Sequence, residues 1–168
     1  MTGPFPYVTE TLALLGNQDP MKVLTETPEW IAGRVQGLSS NALRQPEAAG
    51  KWSLTQVFAH ITDAEIMFGW RARIMLTQDN PPIPGFDEAK WLTRFDYASA
   101  DPTQTLSAFI ALRTWNLRAW RSATADDLTR MGLHPVRGPE SYQRVQQMTA
   151  GHDLRHRRQI DRILAVVR

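Results

Sequence analysis

Apolar residues recur at helical spacing in two long stretches of this chain. The first runs from Ser53 to about Leu76 and starts with Ser53 and Gln56 three residues apart, which is the pattern of a capping box. The second runs from about Ser141 to Val167 and has the same period. Each stretch therefore predicts a long helix with one apolar face, and they become the second and fourth helices of the bundle predicted below.

Proline after a short polar residue predicts where the other helices begin. The first bundle helix should begin at Thr27-Pro28 and stop near residues 39–41, and the third should run from Asp101-Pro102 to about Ser122. Shorter pieces are predicted over residues 8–15, 19–25 and 87–95, with one or two turns beginning at Thr124.

The remaining stretches predict connections rather than strands. Residues 77–85 contain three prolines and a glycine, so they cannot be helical, and residues 131–139 read as a loop. No stretch alternates apolar and polar residues for long enough to indicate a strand. We therefore predict an all-α four-helix bundle with a long crossover between helices 2 and 3. We expect one domain over residues 1–168, with a helical extension over about 1–26 and the bundle over about 27–168.

Three histidines fall on the inward faces of the second and fourth predicted helices. His152 and His156 are one turn apart, and His60 lies on the apolar stripe of the second helix. Two imidazoles at this spacing commonly form half of a metal site. The alternative is a core of hydrogen-bonded histidines, but unsatisfied buried nitrogens cost about 1–3 kcal/mol each. We therefore predict that His60, His152 and His156 bind one divalent metal ion.

Other side chains on the same helices are candidates for catalysis. Asp63, one turn beyond His60, is predicted either to hold a ring N–H or a metal-bound water, or to be a surface carboxylate. Arg71 lies on the inner stripe and is predicted to bind an anion at the pocket rather than to form a core ion pair. Gln159 is expected to line the same cavity, and His134 to be a turn or interface residue rather than a fourth ligand.

Composition limits the partners and the compartment. The 168 residues carry a net charge of +2 and no cysteine, which leaves imidazole, carboxylate and water as metal ligands. The basic run over residues 155–158 is interpreted as a solvated face or a subunit contact, and we expect a homodimer and no nucleic-acid binding. We expect a cytoplasmic protein without a signal peptide or a membrane span. The six tryptophans are expected in the core, with Trp70 and Trp91 near the mouth of the site.

Four motifs together resemble the DinB/YfiT-like superfamily. They are Trp52-Ser53, Ala59-His60-Ile61-Thr62-Asp63-Ala64-Glu65, His134-Pro135-x-x-Gly138 and His152-x-x-x-His156-x-x-Gln159-Ile160. The resemblance runs from about Pro28 to the C-terminus. It implies a four-helix bundle in which one histidine of the second helix and two of the fourth bind a divalent metal, which correspond here to His60, His152 and His156.

The expected chemistry follows from a metal with open coordination positions. Zinc is the first expectation, and nickel, iron, cobalt or manganese also accept imidazole ligands. Because members of the resembled superfamily include thiol-dependent S-transferases, we expect a transferase that uses a low-molecular-weight thiol as cosubstrate on small electrophiles. A metal-dependent hydrolase and a non-catalytic, stress-induced metal-binding protein are the alternatives. The motif His152-Asp153-x-x-His156 resembles the helix of metallopeptidases, but aspartate replaces the required glutamate.

Overall fold

Short polar side chains cap the helices where the sequence predicts. The computed structural model describes residues 5–168, and residues 1–4, where the predicted N-terminal extension begins, lie outside the described range. The Ser53 and Gln56 side chains form the predicted capping box, and Asp101 accepts a hydrogen bond from the backbone of Gln104 at 2.8 Å. The helices are α1 Pro6–Leu15, α2 Pro20–Val35, α3 Ser40–Arg44, α4 Leu54–Thr77, α5 Glu88–Arg94, α6 Pro102–Ser122 and α7 Tyr142–Val167.

Four of these helices form the bundle, which confirms the predicted fold class. α4 packs against α6 and α7, α2 packs against the same two helices, and α1 lies along α7. The connection from α4 to α6 is the predicted long crossover and contains α5. Within the described residues, no helix is long and apolar enough to cross a membrane.

The first bundle helix begins earlier than predicted. α2 runs without a break from Pro20 to Val35, so the predicted separation into one helix over 19–25 and another starting at Thr27 is wrong. Pro28 lies inside α2 and has no N–H to donate to the Leu24 carbonyl. The Arg113 side chain supplies the missing donor, with Nη1 at 3.0 Å from that oxygen. A partner distant in sequence therefore allows the helix to continue through proline.

The segment predicted as a loop over residues 131–139 is mostly a hairpin. Strand β1, Met131–His134, pairs in antiparallel register with β2, Gly138–Ser141, after a 3₁₀ turn over Asp127–Thr129. Four-residue strands are too short to show a period of two, so the pattern could not predict them. The crossover joins the hairpin, because the Ile83 N–H donates to the Leu133 carbonyl at 3.0 Å.

The tryptophans do not form the core as predicted. Trp120 is the one fully buried tryptophan among the described residues, whereas Trp70 is 52% exposed and Trp115 is 60% exposed. Trp70 therefore lies on the outer surface and not at the mouth of the site. The core instead consists of two apolar clusters, one around Phe68 and Trp120 and the other around Phe58, Phe109 and Ile160.

A buried arginine joins the four bundle helices. Arg113 of α6 donates to Glu65 of α4, to Asp153 of α7 and to the Leu24 carbonyl of α2, at distances between 2.6 and 3.0 Å. Four of the five N–H groups of the guanidinium thus donate hydrogen bonds, and Nη2 also lies 2.8 Å from Glu65 Oε2. Burial alone would lower the pKa of Arg113, but the adjacent Asp153 and Glu65 carboxylates raise it above its ordinary value. We call Arg113, Glu65 and Asp153 the arginine triad.

Arginines of the last helix largely contact other parts of the same chain. Arg155 pairs with Glu10 of α1 at 2.9 Å, and the Arg157 guanidinium lies 4.5 Å from the centre of the Trp30 ring. These side chains are therefore not a purely solvated face. The basic run suggested a subunit contact, and these internal contacts account for part of it. The homodimer stays a prediction.

Candidate metal centre

Three imidazole nitrogens converge between α4 and α7. His152 Nε2 lies 3.0 Å from His60 Nε2 and 3.1 Å from His156 Nε2, and all three side chains are buried. Their ligand atoms form the one group of three or more that could hold a metal ion among the described residues. The helical faces predicted from the sequence therefore bring the three histidines together.

The histidines are neutral, as metal ligands must be. Burial lowers the pKa of His60 to about 3 and that of His156 to about 4, and it places the pKa of His152 well below its ordinary value. His156 Nδ1 lies 2.8 Å from Gln159 Oε1, an oxygen that can only accept, so Nδ1 carries the proton. His156 Nε2 therefore presents a lone pair to the cluster.

The donor set fits a divalent cation. The three neutral rings cannot satisfy all of their ring nitrogens by hydrogen bonds to one another, because each ring has only one N–H to donate. His60 Nδ1 is in addition buried without a hydrogen-bond partner in the described residues. A tetrahedral zinc ion with N ligands at 2.0–2.1 Å would require donors about 3.3 Å apart, close to the distances in the cluster. The arginine triad contains two carboxylates and one guanidinium, and its Asp153 carboxylate favours positive charge at His156.

The predicted carboxylate Asp63 contacts the crossover, and a carboxylate that was not predicted, Glu88, lies near the cluster. Asp63 accepts a short hydrogen bond from the Tyr97 hydroxyl, which attaches the crossover to α4. Burial and Asp63 together raise the pKa of Tyr97 above its ordinary range. Glu88, at the start of α5, places Oε2 3.9 Å from His60 Nε2. The catalytic role of Asp63 stays a prediction, whereas Glu88 lies close to His60 and lines the cavity beside the site.

A cavity of about 560 Å³ adjoins the histidines. His60 and His152 form one part of its wall, and Phe68, Phe86 and Met148 provide apolar surface. Arg71 also lines it, 5% exposed, and donates from Nε and Nη2 to the Pro84 carbonyl at 3.1 and 2.5 Å. Arg71 is thus at the pocket, as predicted, and makes no core ion pair within residues 5–168.

Aromatic side chains surround the histidines. Trp52 packs on His60 with ring centres 5.1 Å apart, and Phe86 lies 6.1 Å from His60 and 4.9 Å from Trp91. Trp91 is therefore close to the site as predicted, next to Phe86, whereas Trp70 is not at the mouth of the site, and the tryptophan that packs on His60 is Trp52. His134 is outside the metal cluster, and its Nδ1 accepts the backbone N–H groups of Val136 and Arg137 at 3.2 Å, as a turn residue would.

Sequence reasoning missed the arginine triad and Glu88 for different reasons. Arg113 lies on the apolar stripe of its helix, four residues from both Phe109 and Leu117, so helical spacing was a usable signal for its burial but did not identify its partners. Proline at position 28 was a usable signal, because a helix that continues through proline needs a donor for the carbonyl four residues earlier. Glu88 lies in the crossover, whose path over the site depends on tertiary contacts.

Several proteins of known sequence are similar to this chain. YfiT of Bacillus subtilis, provisionally named a metal-dependent hydrolase, is 28% identical over 115 residues, which are 68% of this chain and 65% of that protein. A similarly named relative from Bacillus licheniformis is 26% identical, over 70% of this chain and 66% of its own length. A relative from Oceanobacillus iheyensis is 26% identical over 92% of this chain and 88% of its own. The chain thus spans about two thirds of the first two relatives.

The solved structure of YfiT from Bacillus subtilis has a similar fold. Its TM-score is 0.76 over 88% of this chain and 83% of that chain, at 24% sequence identity, and it is described as a four-helix bundle of unusual topology. The sequence model of the DinB superfamily matches residues 24–160, a range that contains all three histidines. Because this match covers most of the sequence, the chain belongs to the DinB superfamily.

Proposed function

We propose that the chain is a metal-dependent enzyme that acts on small molecules, with hydrolysis as its reaction. The observation that carries this proposal is the convergence of three buried Nε2 atoms, two of which belong to histidines that line a cavity of about 560 Å³. Three protein ligands leave open positions on an ion, which is typical of catalytic rather than structural sites. The cavity volume falls within the range of small-molecule pockets.

The residues around the cavity have separate tasks in this proposal. His60, His152 and His156 hold the ion, which when bound supplies Lewis-acid activation of water. Gln159 holds the proton of His156 on Nδ1, so that Nε2 remains a ligand. Arg71 attracts the anionic part of a substrate. Glu88, which lines the cavity, is the carboxylate proposed to accept a proton, and Asp63 is the alternative predicted from the sequence.

Hydrolysis is supported by the relatives. YfiT and the other similar proteins carry the provisional name of metal-dependent hydrolase. Their names support the reaction type for this chain, and they do not specify a substrate.

Transfer of a low-molecular-weight thiol to an electrophile is the second candidate. The chain has no cysteine, so sulfur chemistry would require an external thiol, and the buried Arg71 in the cavity suits the carboxylate of such a cosubstrate. An ion held by three neutral imidazoles would lower the pKa of a bound thiol and favour the thiolate nucleophile.

Parallel assays on one preparation distinguish the candidates. Protein purified without a histidine tag is loaded separately with zinc, nickel, iron, cobalt and manganese, and tested on nitrophenyl esters, on anilides, and on a chloro-nitroarene with several thiols. We expect ester or amide hydrolysis at a rate independent of thiol, lost in His152→Ala and after chelation. Consumption of thiol with the chloro-nitroarene, without hydrolysis, would instead establish the transferase. His134→Ala is the control that should retain the metal.

A further inference from the structure

The cavity has a second polar end, built around Arg71. Arg71 is 5% exposed, and its guanidinium makes no ion pair with any carboxylate of residues 5–168. Burial, followed by the nearby Arg137, lowers the pKa of Arg71 to about 10. Arg137 itself is neutralised by Glu140, at 2.6 and 2.8 Å. Arg71 is therefore a buried cation whose charge the described part of the protein does not balance, which is a costly arrangement.

Part of the Arg71 side chain is available to a ligand. Its Nε and Nη2 atoms share one acceptor, the Pro84 carbonyl, and Nη1 has no hydrogen-bond partner among the described residues. Nη1 is also not among the buried atoms that lack a partner, and Arg71 lines the cavity. The two N–H groups of Nη1 therefore face space that a ligand can occupy.

His134 supplies a second donor at the same end. Its Nδ1 accepts two backbone N–H groups, so in the neutral ring the proton is on Nε2. Nε2 lies beside Gly85, where an added Cβ would be 3.2 Å away, and Arg71 holds the adjoining Pro84 carbonyl. His134 and Arg71 thus both lie next to the Pro84–Gly85 peptide, and both line the cavity.

An aromatic ring connects this end to the metal centre. The Phe68 ring centre lies 5.4 Å from the Arg71 guanidinium and 5.4 Å from the His152 ring. The two polar ends are therefore separated by no more than twice that distance. Phe68 lies between them and is apolar, and Phe86 and Met148 add apolar surface to the same cavity, so one small molecule can reach both ends.

We propose that Arg71 and the Nε2–H of His134 bind the carboxylate of a small substrate whose apolar body lies along Phe68 and whose reacting group lies at the three histidines. This assignment rests on the proposed function for the reacting end only. A single negative charge matches the single unbalanced guanidinium, since Glu140 already neutralises Arg137. A phosphate dianion would exceed the positive charge available, so a carboxylate is the ligand class that fits.

Binding of an unreactive probe tests the subsite separately from catalysis. 3-Phenylpropanoate and 3-phenylpropanamide are titrated by calorimetry into the zinc-loaded protein and into the chelated protein. We expect the carboxylate to bind at least 10-fold more tightly than the amide in both forms, because charge-assisted hydrogen bonds are worth about 1.5–3 kcal/mol. Equal affinities for acid and amide overturn the proposal, and this comparison needs no variant.

Variants locate the bound carboxylate. Arg71→Gln keeps a donor for the Pro84 carbonyl but removes the charge, and it should weaken binding of 3-phenylpropanoate by about 10- to 100-fold. Arg73→Met is the matched control, because Arg73 is on the same helix but contacts Gly69 and Asn116, which do not line the cavity. The affinity of this variant for 3-phenylpropanoate should match that of the wild type.

Two other outcomes refute the assignment. Binding that disappears on chelation and survives in Arg71→Gln would place the carboxylate on the metal, and tighter binding of 2-phenylethyl phosphate would replace the proposed ligand class. Failure of every hydrolysis assay would leave a confirmed carboxylate subsite intact, so the two proposals fail separately.

Discussion

Replacing Arg113 with methionine should cost a large part of the stability of the bundle. The substitution leaves the Glu65 and Asp153 carboxylates, 1% and 3% exposed, without their shared counter-ion. Removing one partner of a buried ion pair typically costs about 3–5 kcal/mol. The Leu24 carbonyl also loses its donor, which Pro28 cannot replace. Arg113→Met should therefore lower the free energy of unfolding by at least about 3 kcal/mol. This is a large part of the total of about 5–15 kcal/mol that is typical of a domain.

Urea unfolding of the chelated protein, followed by circular dichroism, measures this loss without a contribution from metal. Arg118→Met is the matched control on the same helix, because Arg118 is exposed and only stacks on Trp115, a contact worth about 0.5–1 kcal/mol. Replacing all three members of the arginine triad with apolar residues should recover much of the lost stability, since no charge then remains unpaired. A cost below 1 kcal/mol for Arg113→Met, equal to that of Arg118→Met, would refute the reasoning.

Three further predictions concern the metal centre and its support. His152→Ala should bind no metal by elemental analysis, and chelation should lower the melting temperature of the wild type but not of this variant; equal metal in both proteins would contradict the ligand assignment. Burial lowers the pKa of His60 to about 3 and that of His156 to about 4, below the ordinary value that both have in the unfolded chain. The metal-free protein should therefore be most stable above pH 6.5, and its free energy of unfolding should fall by up to about 1.4 kcal/mol per histidine for each pH unit toward pH 4. A flat profile of unfolding free energy from pH 7 to 5 would exclude neutral buried histidines. Gly151→Ala would place a Cβ 2.4 Å from a carbonyl of α1 and should lower the free energy of unfolding by about 1–3 kcal/mol. Gly33→Ala is the control, because its Cβ would have nothing within 4 Å, and it should be neutral or stabilising by up to about 1 kcal/mol. Similar effects of the two substitutions would contradict the close packing of α1 on α7.

The helices and the histidine faces were predictable because the signals for them are local. A capping box at Ser53 and the period of apolar residues fix the start and the orientation of α4 without reference to the rest of the chain. The same holds for His152 and His156, whose spacing alone places both rings on one face of α7. Two such helices packed through their apolar faces bring His60 to the other two rings.

The contacts that stabilise the site could not be predicted in the same way. The arginine triad joins residues 40 and 48 positions apart in the chain, and the periodicity within one helix does not show which residues of another helix they contact. Proline at position 28 was interpreted as a helix start because proline favours the first turn, and a tertiary donor overrides that preference. The hairpin likewise pairs with the crossover at Leu133. Strands of four residues are too short for their sequence to predict such a pairing.

The two sides of the cavity have different origins, and this limits what family membership says about the substrate. The metal ligands lie on α4 and α7, two bundle helices that the arginine triad fastens together. The other walls come from α1, the crossover and the hairpin, including Tyr7, Glu88 and Val136. α1 lies outside residues 24–160, the range that matches the superfamily. A fold places the reactive centre, whereas loops and added elements select the ligand. The substrate should therefore be sought from the cavity of this chain, with its apolar wall and buried cation, rather than from the activity of any one relative.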